Sequence, residues 1–497
     1  MAKPFDVVII GAGVSGIGMA SRLSVESPDH RFVILERRQR AGGTWDLFRY
    51  PGVRSDSDMF TYGFQFRPWS NCRTLADGDS IRNYVEDTAR HYGVDEHIEF
   101  GMHCTAAEWD TQRQLWTITA THELSGETRQ WTARFIVSGQ GYYRYDQGYR
   151  PRFANEQAFQ GQIVHPQHWP KDLDCAGKKV VVIGSGATAV TVVPAIAKSA
   201  AQVTMLQRSP TYIFSLPGWD RMTEVLGKVL PAERCYAIAR RRNLFVWRST
   251  YKLCQRYPKA MRWFFVGQAR RHIGDRFRME DFNPSYDPWD QRLCAVPDAD
   301  LFKAIRSGKA DVVTDGIVRF TAKGLELRSG RQLDADIVVT ATGLELQMFG
   351  GMQLSIDGKP YDVSKKMIYK GVLLQDLPNF AWILGYVNLS WTMKADMSSL
   401  YLCRLFKHMQ QHQQAVVIPR DDENSCLEES VLDALSAGYI ERSNHLLPRQ
   451  GRSAPWTVRH DYEEDQQMMM QTPIADTRLE TLAAPAPRRG KVIRRAA

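Results

Sequence analysis

The eight cysteines, at positions 72, 104, 175, 235, 254, 294, 403 and 426, form no C-x-x-C and no C-x-x-x-x-C pair. That absence argues against a disulfide-exchanging reductase and against a thiolate metal site, so no metal is expected. It leaves free thiols and a cytoplasmic, reducing compartment as the expectation. No run reaches the roughly 18 apolar residues of a spanning helix. The opening Met1 to Asp6 has Lys3 as its one basic residue and runs straight into a strand, an order that fits no signal peptide. Acids are scarce in one stretch: Arg234 to Arg278 holds thirteen Lys and Arg against Asp275 alone. That is +12 within a chain of net +9, leaving −3 elsewhere. With Phe245, Trp247, Tyr251, Trp263 and Phe264 between the charges, the stretch suits a peripheral membrane contact. The plainer alternative is a helical lobe with a solvated basic face, and no nucleic acid is expected.

What is present is glycine in two ordered sets. The 497 residues exceed one ordinary core, so two or three domains are expected. Phe5 to Ile10 reads as a strand and is followed by Gly11, Gly13, Ser15 and Gly16, a helix to about Ser24, and a strand ending at Glu36. This is a βαβ dinucleotide signature, in which phosphates rest on the helix N-terminus. A carboxylate at Glu36 accepts bonds from ribose hydroxyls and repels a 2′-phosphate, which selects FAD or NAD.

A second unit begins at Lys178 to Ile183 and continues through Gly184, Ser185, Gly186, Ala187, Thr188 and Ala189. Its next strand ends at Gln207, Arg208 and Ser209, so a guanidinium stands where the first unit carries Glu36. That exchange suits the 2′-phosphate of NADPH. The fold class expected is therefore α/β, with two Rossmann-like dinucleotide-binding domains and a mostly helical insertion. Residues 1–145 and 341–470 are assigned to a discontinuous FAD domain and 146–213 and 292–340 to an NADPH domain. The insertion is 214–291, and 471–497 is expected to be a disordered tail.

Two longer motifs sharpen this. Phe159 to Pro170 reads F-x-G-x-x-x-H-x-x-x-W-P, and Gly42 to Asp56 reads G-G-x-W-x-x-x-x-Y-P-G-x-x-x-D. Both are complete fingerprints of the type I Baeyer–Villiger monooxygenases, which the chain resembles over about residues 5 to 460. Gly43 to Gly52, Ser209 to Tyr212 and Pro288 to Cys294 are similar to a thioamide-oxidising mycobacterial subgroup. The resemblance implies FAD and NADPH as cofactors, dioxygen as co-substrate, and a ketone or sulfide as substrate. Ketones would become esters or lactones through a C4a-peroxyflavin.

By the same resemblance Arg292 would stabilise the peroxide, with Asp56 orienting it. Gly43, Thr44, Trp45, Asp46, Leu47, Asp56 and Cys104 would lie along FAD, while Arg54 and Ser55 would join the NADPH site. His165 and Trp169 would couple the two domains. Gln291 stands where the resemblance has a lysine for the 2′-phosphate, leaving Arg208 as the main discriminator. Asp58, read from the residues alone, is a helix cap. The alternative activity is a flavin-containing sulfur or nitrogen monooxygenase whose ketone oxidation is incidental.

Overall fold

The computed structural model describes residues 3–433 and 438–484. Strand β1 (Phe5–Ile10) lies between β2 (Phe32–Glu36) and the strand Thr128–Ser138, parallel to both. Val7, Val8, Ile9 and Ile10 are at most 2% exposed. Burial of four such side chains contributes roughly 6–12 kcal/mol as an upper bound. Helix α1 (Val14–Glu26) starts directly after the glycine turn. A Cβ on Gly16 would stand 1.8 Å from the Gly11 carbonyl oxygen, so only glycine lets helix and strand meet this closely. The sheet widens on one side through Leu115–His122 and Met102–Asp110, whose Trp109 and Trp116 are fully buried.

A second, five-stranded parallel sheet has the order Ala310–Thr314, Gln202–Gln207, Lys179–Ile183, Ile337–Thr340, Gln162–Val164. Helix α2 (Ala187–Ile196) opens at its glycine turn. The chain crosses between the two sheets twice, and the crossings run side by side: Tyr143–Gly148 pairs antiparallel with Leu344–Leu346.

Between Ile213–Leu216 and Cys294–Pro297, which form a parallel pair, the chain makes a mostly helical lobe. Its long helices are α3 (Ala232–Arg256) and α4 (Pro258–Ile273), separated at Pro258, which cannot continue the first. The first three residues assigned to the insertion, 214–216, thus belong to the strand Ile213–Leu216.

Helix α5 (Trp391–Gln411) packs along α1. Its Lys394 is fully buried against Asp465 at 3.1 Å, which fixes the short helix Tyr462–Gln466 to α5. The segment after 471 departs from expectation. Lys370 Nζ donates to the Pro473 carbonyl at 3.0 Å, and Leu479–Ala483 is a strand antiparallel to Gln414–Pro419. Local composition is too polar to form a core, but the open edge of Gln414–Pro419 supplies hydrogen-bond partners that composition cannot reveal. Residues 485–497 of the expected tail lie outside the described residues, as do 434–437.

Candidate active site between two glycine turns

A cavity of about 430 Å³ runs between the two glycine turns, touching Gly13 and Gly43 on one side and Gly186 and Thr188 on the other. A smaller one of about 70 Å³ continues from Gly11 and Gly13 to Glu36 and Cys104. Glu36 is buried, and its two carboxylate oxygens accept from the Ala12 and Arg38 amides at 2.6 and 2.8 Å. Burial raises its pKa against these bonds. Ser15 accepts from the Trp391 indole at 2.8 Å, which pins α5 to the turn. The width, the opposed glycines and the acid at the far end fit a flavin dinucleotide.

The stretch Gly42 to Asp56 does more than line this cavity. Its Tyr50 hydroxyl bonds to Thr188 of the second glycine turn, while burial pushes the phenol up to about 12. At Gly52, with φ +76°, an added Cβ would lie 2.8 Å from Ala195 Cβ and 2.9 Å from the Thr191 carbonyl of α2. Trp45 donates to the Tyr62 hydroxyl at 2.7 Å. One loop therefore touches both nucleotide units.

At its end Asp56 meets Arg292, 236 positions away, with Oδ2 accepting from Nη1 at 3.1 Å. The Arg292 Nε donates to the Val387 carbonyl at 3.2 Å. The side chain is 35% exposed and lines the cavity. Burial opposes its charge, but Asp56 and the phenols of Tyr439, Tyr142 and Tyr143 hold the guanidinium above its ordinary pKa. It is a permanent cation held in a narrow space. Cys294 nearby is buried, which pushes its thiol up to about 12 and keeps it protonated.

Beyond Arg292 a further cavity of about 60 Å³ is lined by Asp56, Phe214, Leu244, Trp247, Trp289 and Met393 among others. Its lobe side is set by Asp58. This buried carboxylate caps Met59–Tyr62 through the Phe60 and Thr61 amides, both at 3.1 Å. It also accepts from Asn243 Nδ2 at 2.8 Å and Trp247 Nε1 at 2.7 Å on α3. The capping role expected of Asp58 is present, and the anchoring of the lobe is additional.

The linker motif lies on the crossing strand. His165 packs on Gly148, Gln167 Nε2 donates to the Arg144 and Tyr145 carbonyls at 2.8 and 3.0 Å, and His168 bonds to the Asp146 carbonyl at 3.0 Å. Trp169 packs against the core of the second sheet. Desolvation lowers the His165 pKa.

Several expected contacts are otherwise engaged. Asp46 is buried in ion pairs with Arg38, at 2.7 Å, and Arg49. Leu47 is buried beside it and Ala189 lies in the core. Gln207 turns inward, its amide nitrogen donating to Asp281 O and Thr314 Oγ1, both at 2.8 Å, so that nitrogen does not face the cavity. Arg54 pairs with Asp300 at 2.5 Å, and Ser55 donates to the Ser57 carbonyl at 2.6 Å. Ser185 donates to the Ser209 carbonyl at 3.1 Å, while the Arg208 and Ser209 side chains are exposed at the strand's end. Thr44, Ala187 and Thr188 line the cavity. Sequence reasoning missed Tyr142, Tyr143 and Tyr439. The first two follow the strand end at Ser138 by four and five positions, a signal that was available; Tyr439 has none.

The chain matches the flavin-binding monooxygenase-like family over residues 5–417. It is 54% identical to MymA of Mycobacterium tuberculosis, named as a FAD-containing monooxygenase, across 97% of this chain and 99% of that protein. It is 47% identical to the FAD-containing monooxygenase EthA of the same species, across 98% and 99%. Among solved structures, an oxidised steroid monooxygenase bound to NADP superposes with a TM-score of 0.77 at 20% identity, covering 97% of this chain and 100% of the other. The family match and the full-length relatives agree with the paired glycine turns and the cavity between them: the chain belongs to the flavin-binding monooxygenases.

Proposed function

We propose that the protein is an NADPH- and dioxygen-dependent Baeyer–Villiger monooxygenase that converts ketones to esters or lactones and also oxidises sulfides or thioamides. The observation that carries this reading is Arg292, a cation facing the cavity between the two nucleotide turns and held there by Asp56. Bound FAD, reduced by NADPH, would activate dioxygen and supply one oxygen atom.

The chain's own residues then have definite tasks. Gly11 allows the tight turn, Gly13 lets the backbone reach a pyrophosphate, Gly16 lets α1 pack on β1, and Glu36 faces a ribose. Arg208 offers a guanidinium to the 2′-phosphate at the end of the second unit. Arg292 donates N–H bonds to negative charge developing on oxygen. Asp56 positions that guanidinium, as a positioning residue. Trp247, Trp289 and Met393 offer apolar contact to a substrate in the adjoining cavity. Peripheral membrane contact through the Arg234–Arg278 lobe belongs to the same proposal.

The test is Arg292→Ala, assayed with a cyclic ketone and with a thioether. The variant should keep its flavin and consume NADPH yet form no lactone. Normal lactone formation would remove Arg292 from its role, and a wild-type enzyme that oxygenated only the thioether would favour the heteroatom monooxygenase.

A further inference from the structure

We infer that the helical lobe docks on an anionic phospholipid surface and draws lipophilic ketones or sulfides from it into the cavity beside Arg292. The substrate part of this inference rests on the function proposed above; the docking part rests on the lobe itself.

Helix α3 has two unlike sides. On one, Leu244 and Trp247 line the cavity that Arg292 and Asp56 share. On the other, Ile238, Phe245, Val246 and Leu253 are 40%, 71%, 52% and 45% exposed. Residues 238, 245 and 256 fall within one narrow arc of a 3.6-residue helix, opposite 247. The cavity wall is therefore a single helix thick. Across Pro258, α4 adds Trp263 at 79% and Phe264 at 51% exposure.

The charges on these faces match an acidic partner. Arg234, Arg241, Arg256, Lys259, Arg270 and Arg271 are exposed and form no ion pair among the described residues. Large apolar side chains standing between cations fit a bilayer interface: rings enter the acyl boundary while guanidinium groups meet phosphates. An aqueous protein partner of ordinary composition would leave the cations unmatched. Glu463 pairs with Arg248 on α3 while Asp465, on the same short helix, pairs with the buried Lys394, so that helix links the lobe to α5.

The experiment uses the full FAD-loaded chain with vesicles of phosphatidylcholine, with and without phosphatidylglycerol. Wild type should sediment with the anionic vesicles alone, less so at high salt. Arg241→Gln with Arg270→Gln should weaken the partition about 30-fold, at about 1 kcal/mol per arginine. Phe245→Ser with Trp263→Ser should abolish it. Both variants should keep the flavin spectrum and the melting temperature, which separates lost docking from lost fold. Turnover of a long-chain ketone supplied in vesicles should fall with docking, while turnover of a short soluble ketone should not change. Three results would overturn the docking: equal binding to neutral vesicles, a dimer in solution that the Ser variant dissolves, or capture by duplex DNA that displaces the vesicles. Vesicle binding by an enzyme that oxidises no ketone would overturn the ketone reading alone and leave the docking standing.

Discussion

Asp58→Ala is the substitution whose consequences the structure sets out most fully. The carboxylate is 1% exposed and receives bonds from the Phe60 and Thr61 amides, the Thr61 hydroxyl, Asn243 and the Trp247 indole. Loss of the cap costs about 1 kcal/mol. Each donor left without a partner in a buried place adds about 1–3 kcal/mol, so Asn243 and Trp247 bring the whole to roughly 3–7 kcal/mol. At about 2.1 cal/mol/K of unfolding entropy per residue, a chain of 497 residues shifts by about 1 °C per kcal/mol, so the melting temperature should fall by roughly 3–7 °C. Because Trp247 lines the cavity next to Arg292, the Michaelis constant for an organic substrate should rise while flavin content stays the same. Trp247→Phe isolates the indole bond, and the pair of variants should show a coupling of at least about 0.5 kcal/mol. An Asp58→Ala protein with wild-type melting and wild-type Michaelis constant would refute the anchoring of the lobe.

Arg208→Ala should raise the Michaelis constant for NADPH and leave that for NADH nearly unchanged; an unaltered ratio would locate the 2′-phosphate elsewhere. Gly52→Ala forces a Cβ into α2 at positive φ, and should cost about 1–3 kcal/mol and divert NADPH electrons to hydrogen peroxide, read by a peroxide assay alongside thermal unfolding. Burial, with the Lys394 charge beside it, pushes His460 down to about 3, against about 6.5 when unfolded. Stability from this group is complete above pH about 6.5 and is lost as pH falls toward 3, by about 1.4 kcal/mol per unit, because the unfolded chain takes up the proton first. His460→Gln should flatten that acid limb in denaturant titrations between pH 4 and 6.5, an interval bounded by about these two pKa values.

Periodic local features were legible in the sequence. The strands Phe5–Ile10 and Lys179–Ile183 are short apolar runs ended by glycine, and both glycine turns lie where their spacing puts them. Contacts across the chain were not. Nothing near Asp58 in sequence announces Asn243 or Trp247, and Tyr439 reaches Arg292 only through the fold. A motif position does not say which way a side chain turns: Gln207 points into its own domain and Asp46 is paired with two arginines. Edge pairing explains the late strand Leu479–Ala483, whose composition reads as tail.

The loop from Gly42 to Asp56 sets a rule for anyone recombining such proteins. Its Tyr50 and Gly52 are fitted to Thr188, Thr191 and Ala195 of the other unit, so the two nucleotide modules are not interchangeable parts. A graft that brings a foreign NADPH unit with a bulkier side chain at 195 would push the loop, and with it Asp56, away from Arg292. A chimera should therefore be cut so that residues 42–56 and α2 travel together, although more than a hundred positions separate them in the chain.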